Sequence, residues 1–445
     1  MSLALPRAAV PPWKVPPAAA VVAVVALLAV PPGPAAGGSG AHPADAVSAL
    51  VVLYCAARLV RERRRPLSRT AAVVLGLPVL GLAVAAAGAA SPGAALGGLG
   101  RYLQVFVLVP AAVVLLARGP GDVRLLAWAC TGLALYQGAV GTHQYVTGTG
   151  ASYQGEQVRA VGTFGAQDVM GMATVVSLGL VCAVGLALGR GPVRERAVAA
   201  GCAVALLAPL AFSFSRGAWI ATAVACAAQL LLAGVRRAPA VGAALLAAGV
   251  VLVGGFGVGT AMLQERVGSI AQVADAPDRS VTDRYTMWSA AAGMWRERPV
   301  TGVGLKGFPA ERDSHASLAL SSGSETDGAG AGYVRQPLLS PHNMYLLVLA
   351  EQGLLGLTAL AGSWLALLAL GLRRLRPARR RGRGTGAGAG AAGSPPCAGL
   401  VACGLLVWQL TDFAYADIGG PSTVLTAVSL GLAAHWALAA GEDAR

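Results

Sequence analysis

Apolar blocks of about twenty residues, separated by short arginine-bearing stretches, constrain this chain more than any motif in it. A helix needs roughly 20 apolar residues to cross ~30 Å of hydrocarbon. With no water in that layer, every backbone N–H and C=O must be paired within the segment, which selects helices. Composition agrees: 56% of residues are hydrophobic and 12% charged, against roughly 25% charged in an ordinary soluble domain. The expected fold is all-α, a polytopic membrane protein of about twelve helices. The blocks fall at 15–34, 44–60, 71–90, 102–117, 125–146, 169–189, 197–214, 218–233, 240–262, 343–372, 397–415 and 422–439. Residues 1–262 thus carry the first nine spans, 263–341 a large polar loop, and 342–445 the last three spans with a basic loop at 373–396. Lys14 and the small residues after the first block also allow a signal-peptide reading. A retained first helix fits the eleven spans that follow.

The net charge of +14 resembles a nucleic-acid footprint until it is mapped. Arginines cluster at 58–69 and 373–383, with smaller groups at Arg118/Arg124, Arg190/Arg194/Arg196 and Arg236/Arg237. Counted from a cytoplasmic N-terminus, all five groups fall on one side. By the positive-inside rule that side is cytoplasmic, and both termini lie there. The charge is a topology signal, and nucleic acid is not an expected partner. The seven cysteines all lie in or at the ends of apolar blocks, with no C-x-x-C pair. They read as small buried hydrophobes rather than metal ligands or disulfides. No G-x-x-x-x-G-K-[ST] loop is present, so direct coupling to nucleotide hydrolysis is not supported, and no cofactor is expected. Residues 381–394 are Gly/Ala-rich and read as a flexible linker.

Arginines on the opposite side are more informative, because the positive-inside rule does not account for them. The long loop 263–341 carries eight basic and nine acidic residues and is nearly neutral. Four features stand out on that side. In Ser213-Phe214-Ser215-Arg216-Gly217-Ala218-Trp219 two spans meet almost without a loop, placing Arg216 at the membrane boundary. An arginine there faces a polar cavity or an anionic partner, or snorkels to lipid headgroups. In Asp283-Arg284-Tyr285-Thr286-Met287-Trp288, running on to Trp295, the spacing of Trp288, Ala291 and Trp295 predicts an amphipathic helix lying on the membrane. Arg284 falls on the same face, where it binds a ligand or pairs with Asp283 or Glu297.

Ser340-Pro341-His342-Asn343 opens the tenth span, with Ser then Pro as the expected N-cap and first-turn pair. His342 then sits in the first helical turn, where the positive helix end keeps its ring neutral and able to accept a proton. Asn343 stands beside it. Glu351, two turns deeper, is a carboxylate within the membrane and a functional candidate by default. Arg159-Ala160-Val161-Gly162-Thr163-Phe164-Gly165 supplies a further cation and a tight turn before the sixth span.

Arginines, a neutral histidine and a lipid-facing cavity suit an isoprenoid-diphosphate-linked glycan. Its lipid lies in the bilayer, its diphosphate at the interface and its sugar in water. Arginine binds phosphate oxygens in bidentate fashion without a divalent ion. Charge grows on the diphosphate as the glycosidic bond breaks, so preorganised cations lower the barrier. A base must take the proton of the attacking hydroxyl, and His342 is placed to do so.

These motifs resemble those of the O-antigen ligase and polymerase superfamily. Ser215-Arg216-Gly217 is similar to its SRG turn. Arg284-Tyr285-…-Trp288 with Pro299-Val300-Thr301-Gly302-Val303-Gly304-Leu305 resembles its loop signature. Pro341-His342-Asn343 with Glu351-Gln352-Gly353-Leu354-Leu355-Gly356 resembles its HN-x-x-L…GllG element. Arg159…Gly162-Thr163-Phe164-Gly165 is similar to its R-x-x-GTFGNPN stretch, with Ala166-Gln167-Asp168 replacing Asn-Pro-Asn. The resemblance implies a bacterial cytoplasmic-membrane enzyme with no metal. It would transfer a glycan, with inversion, from a polyprenyl-diphosphate donor to a glycan, lipid or protein acceptor. It further implies diphosphate contacts by Arg216 and Arg284 and a base at His342. A polymerase of lipid-linked repeats fits the same motifs. A transporter or flippase would instead show inverted repeats and broken midplane helices, and no such repeat is evident.

Overall fold

Eleven of the twelve apolar blocks contain a helix in the computed structural model; the block at 240–262 lies outside the described residues. Those described are 16–32, 42–62, 67–153, 158–234, 279–321, 323–329, 331–384 and 396–438. The first helices are α1 (Ala19–Leu27), α2 (Pro43–Glu62) and α3 (Arg69–Ala87). Next come α4 (Pro92–Leu103) and α5 (Val109–Leu116), joined through one π-helical turn (Gln104–Leu108). They are followed by α6 (Pro120–Thr147), α7 (Gly171–Leu188), α8 (Val193–Phe212) and α9 (Arg216–Ala233). The long loop contributes α10 (Arg279–Glu297) and α11 (Phe308–His315). Last are α12 (Met344–Gly384), α13 (Cys397–Asp412) and α14 (Thr423–Leu438).

Among the described residues, eight helical segments are long and apolar enough to cross a membrane, taking α4 to α5 as one, and α13 and α14 are shorter apolar helices. The protein is an all-α polytopic membrane protein. Two expectations need adjusting. The first block yields only the nine residues of α1, about 14 Å of helix at 1.5 Å per residue, because turns at Leu28–Val30 stop it. The fourth span starts at Pro92, so the Gly-rich stretch expected as a loop is helix, begun by a proline whose missing N–H costs nothing in a first turn.

Side-chain exposure sorts the helices. Helix α7, packed by α6, α8, α9 and α13, is buried over most of its length. Leu50 and Leu53 of α2, Leu80 of α3 and Leu231 of α9 remain exposed. Apolar exposure on this scale marks a lipid-facing surface. Two of the arginine-bearing connections meet at one end: Arg124 of α6 pairs with Glu195 of α8 at 2.7 Å, and Gly189 after α7 packs against Cys397.

The other end carries the loops, and there the structure holds strands that the sequence did not reveal. Strands β1 (Ala151–Tyr153), β2 (Ser324–Gly328) and β3 (Ala331–Gln336) form an antiparallel sheet in that order, with Ala151 opposite Gly328 and Thr326 opposite Val334. The sheet ties the loop before α7 to the loop before α12.

A second tie lies inside the bundle. Helix α12 is broken at Gly353, whose φ of 64° and ψ of −163° suit only glycine. The segment 299–308 fills the break with its backbone. Leu354 and Leu355 N–H donate to the carbonyls of Pro299 and Val300 at 2.9 and 3.1 Å. In return Val303 and Gly304 N–H donate to the carbonyls of Ala350 and Glu351 at 2.9 and 3.0 Å, and Leu305 N–H donates to Ala85 of α3 at 2.9 Å. Groups that a break would leave unpaired in hydrocarbon are thereby satisfied.

A methyl group at Gly353 would lie 2.3 Å from Val300. Gly353→Ala should therefore lower stability by roughly 2 kcal/mol or more, read as an earlier thermal transition in detergent. Gly76→Ala, where nothing lies within 4 Å, should leave that transition unchanged or slightly raised.

Candidate functional site

The connection between α13 and α14, residues 412–417, is where the candidate residues meet. Its sequence is Asp412-Phe413-Ala414-Tyr415-Ala416-Asp417. The N-terminus of α12 is built on its backbone: Met344 N–H donates to the carbonyls of Phe413 and Ala416 at 2.8 and 3.0 Å. Asn343 Nδ2 donates to the carbonyl of Ala414 at 3.0 Å, and the Tyr345 hydroxyl to that of Leu410 at 2.6 Å.

Asn343, not Ser340, caps α12. Its Oδ1 accepts from Leu346 N–H at 3.1 Å, the N3 amide that an N-cap side chain satisfies. The helix consequently starts at Met344, and His342 precedes the cap in a left-handed turn with φ 48°. Among the described residues Ser340 Oγ accepts only from the His342 N–H. The expected first-turn placement of His342 is thus off by three positions, because asparagine binds both the helix amide and the 412–417 loop. Burial holds the imidazole below its ordinary pKa; the nearby Asp417 carboxylate works against that and the Arg284 guanidinium adds to it.

Arg284 reaches this point from α10. Of the expected membrane face only Ala291 packs inward: with Met287 and Met294 it forms one apolar cluster with Val303, Phe308, Leu338, Leu347 and Ala350. Trp288 lies at its margin, where the indole N–H donates to the Pro341 carbonyl at 2.8 Å and the Tyr285 ring meets it edge-on at 5.6 Å. Asp283 accepts from the N–H and hydroxyl of Ser321, while Glu297 lies 3.0 Å from the His315 ring. Arg284, half-buried, acts electrostatically on both His342 and Asp412.

Arg216 opens α9. Ser215 caps the helix by accepting from Ala218 N–H, and the Trp219 indole donates to the Leu210 carbonyl at 2.8 Å. Gly217 lets the turn approach Tyr415: a Cβ at Gly217 would lie 3.3 Å from Tyr415 Cβ. The Arg216 turn, Arg284, His342 and Asn343 therefore share the 412–417 loop. Arg216, Arg284, His342, Asp412, Tyr415 and Asp417 are each half-buried.

Arg159 stands one step away. It bridges to Ala151 through both backbone groups, and the next residue, Ala160, donates to the Phe212 carbonyl at 3.0 Å, just before the Arg216 turn. Two glutamines of α6, seven residues apart and so on one helix face, grip the loop that follows. Gln144 Oε1 accepts from Val161 and Gly162 N–H at 3.1 and 2.9 Å, and Gln137 Oε1 from Thr163 N–H at 2.9 Å. Asp168, which replaces the last Asn of the motif, accepts from Ser422 N–H at 3.3 Å, and burial raises its pKa against that bond. Glu351 lies in the helix break instead, 1% exposed, where its Oε1 accepts from Phe308 N–H at 3.3 Å and its Oε2 has no hydrogen-bond partner among the described residues.

Sequence reasoning singled out neither Asp412, Tyr415 and Asp417 nor Gln137 and Gln144. The first three were visible only as a short polar loop between apolar spans. The glutamines carried a signal, two amides seven apart in an apolar helix.

Residues 201–361 match the O-antigen ligase family model. The matched stretch holds Arg216, Arg284, the 299–308 segment, His342, Asn343 and Glu351, and it bears out the resemblance seen in the motifs. Arg159 and the 412–417 loop lie outside it. No curated protein matches the chain.

The amide clamp has a measurable consequence. In Gln144→Ala, hydrogen exchange at Val161 and Gly162 should quicken about tenfold or more, as one or two net hydrogen bonds of about 1 kcal/mol are lost. Amides within α7 should be unaffected.

Proposed function

We propose that this protein transfers a glycan from a polyprenyl-diphosphate donor to an acceptor hydroxyl at the outer face of the bacterial cytoplasmic membrane. The observation that carries this reading is the convergence of the Arg216 turn, Arg284 and His342 on the 412–417 loop. Arg216 and Arg284 hold the diphosphate, whose oxygens match the guanidinium fork. Arg159, one loop away, adds a cation to the donor's approach. Asn343 fixes the turn that presents His342.

In the reaction the acceptor oxygen attacks the anomeric carbon on the face opposite the leaving group, inverting it. The hydroxyl proton passes to the neutral His342 ring. The bond from anomeric carbon to diphosphate oxygen breaks, and its electrons stay on the diphosphate, where the arginines stabilise the growing charge. Glycan reaches the acceptor and polyprenyl diphosphate is released. The arginines take the role that a divalent ion has in many diphosphate reactions, so turnover should survive a chelator. The acceptor is a glycan, lipid or protein of the envelope; a second lipid-linked repeat in that place would make the same chemistry a polymerase.

Transfer would be measured with purified full-length protein and a polyprenyl-diphosphate glycan. His342→Ala should reduce turnover by roughly 10²–10⁴-fold, the usual worth of a general base, while donor binding persists. Arg216→Ala and Arg284→Ala should weaken donor binding and turnover together. Undiminished transfer in His342→Ala would remove the base assignment.

The pH profile carries a sign. A base works when unprotonated, and the His342 pKa lies below its ordinary 6.5. The rate should hold level near neutrality and fall on the acid side as the ring protonates. Arg284 lowers this pKa and Asp417 raises it. Arg284→Gln should therefore move the acid limb to higher pH and Asp417→Asn to lower pH. Limbs that stay fixed in both variants would show that another group titrates.

A further inference from the structure

The site contains an aromatic ring that the catalytic scheme leaves unused. Tyr415 lies on the 412–417 loop between Asp412 and Asp417, half-buried, with its base against Gly217. Among the described residues its hydroxyl has no hydrogen-bond partner and its ring no aromatic or cationic partner. The neighbouring tyrosines are committed: Tyr345 donates to Leu410, and Tyr285 packs on Trp288. One oxygen of Asp417 is likewise without a hydrogen-bond partner although it is buried.

The surroundings specify what such a ring would meet. Two flanking carboxylates repel a phosphate and are costly against an acyl chain, so neither the diphosphate nor the lipid belongs here. A pyranose fits both elements. Its C–H face is apolar and slightly positive and packs on the negative face of an aromatic ring, and its hydroxyls donate to carboxylates. Tyr415 abuts the glycine next to Arg216, so the sugar in question is the one joined directly to the diphosphate.

We propose that Tyr415 is the platform for the first sugar of the donor, its ring stacked on the pyranose face while Asp412 and Asp417 accept from the hydroxyls. This rests on the glycan-transfer reading and adds a specificity-determining residue to it. Gly217 has a part as well. A side chain there would crowd the base of the ring, so the turn that presents Arg216 also sets the position of the platform.

The test compares two probes on full-length protein in lipid nanodiscs: polyprenyl diphosphate alone, and the same lipid bearing one hexose or N-acetylhexosamine. Tyr415→Leu keeps apolar contact with Gly217 but removes the aromatic face. Its affinity for the sugar-bearing lipid should fall about tenfold, the upper end of what an aromatic contact contributes, with affinity for the bare lipid unchanged. Tyr415→Trp, which keeps an aromatic face, should restore sugar binding to within a few-fold of the parent. In transfer assays the Leu variant should raise the donor KM and leave the acceptor KM alone. Equal loss for both probes, no loss for either, or a shift confined to the acceptor KM would each overturn the assignment. If the parent protein binds and transfers normally while the Leu variant matches it, only Tyr415 is excluded. A parent that binds neither lipid removes the donor reading itself, and Tyr415 with it.

Discussion

Backbone hydrogen bonds across the break in α12 govern how the site is assembled. Within a membrane an interrupted helix leaves amides and carbonyls that water does not reach, so a break persists only where another chain segment supplies partners. Here 299–308 supplies them on both sides of Gly353. That segment follows α10 directly, and Gly353 lies ten residues into α12, which His342 and Asn343 precede. The stitch therefore fixes the helix carrying Arg284 against the helix whose entry turn carries His342. The two motifs Pro299-…-Leu305 and Glu351-…-Gly356, separate in sequence, form one unit. Glu351, the carboxylate marked by its membrane depth, sits in this unit and accepts from the Phe308 amide.

The 412–417 loop completes the arrangement with the opposite charge. Arg284 acts on Asp412, and Asp417 acts on His342. A half-buried site of cations alone would bind any anion that reached it. With carboxylates among the arginines, the proposed diphosphate would have to match the positions of the cations and avoid the acids, which would favour a ligand with a neutral hydroxylated group beside its phosphates.

Features spread over many residues were legible in sequence, whereas features set by tertiary pairing were not. The spans and the arginine asymmetry repeat along the chain, and the helix of Arg284 was visible from its periodicity. Its buried face is rotated from the one the spacing of Trp288, Ala291 and Trp295 marks, because tertiary packing buries Met287, Ala290, Ala291 and Met294. The cap of α12 went to Asn343 because a loop seventy residues downstream binds its amide. The three-stranded sheet escaped notice because Gly and Ser dominate 321–332, and pairing with Ala151–Tyr153 supplies what local propensity lacks.

Dependence on the 412–417 loop also has a temporal side. Arg159, Arg216, Arg284 and His342 all leave the ribosome before the basic stretch 373–384, while the loop that gathers the last three emerges only with the final pair of helices. A nascent chain halted in that basic stretch already carries every cation and the histidine, yet lacks the backbone on which the entry turn of α12 rests. The proposed site is thus complete only once α13 and α14 have been made, so that a chain ended before them would be inert rather than unregulated.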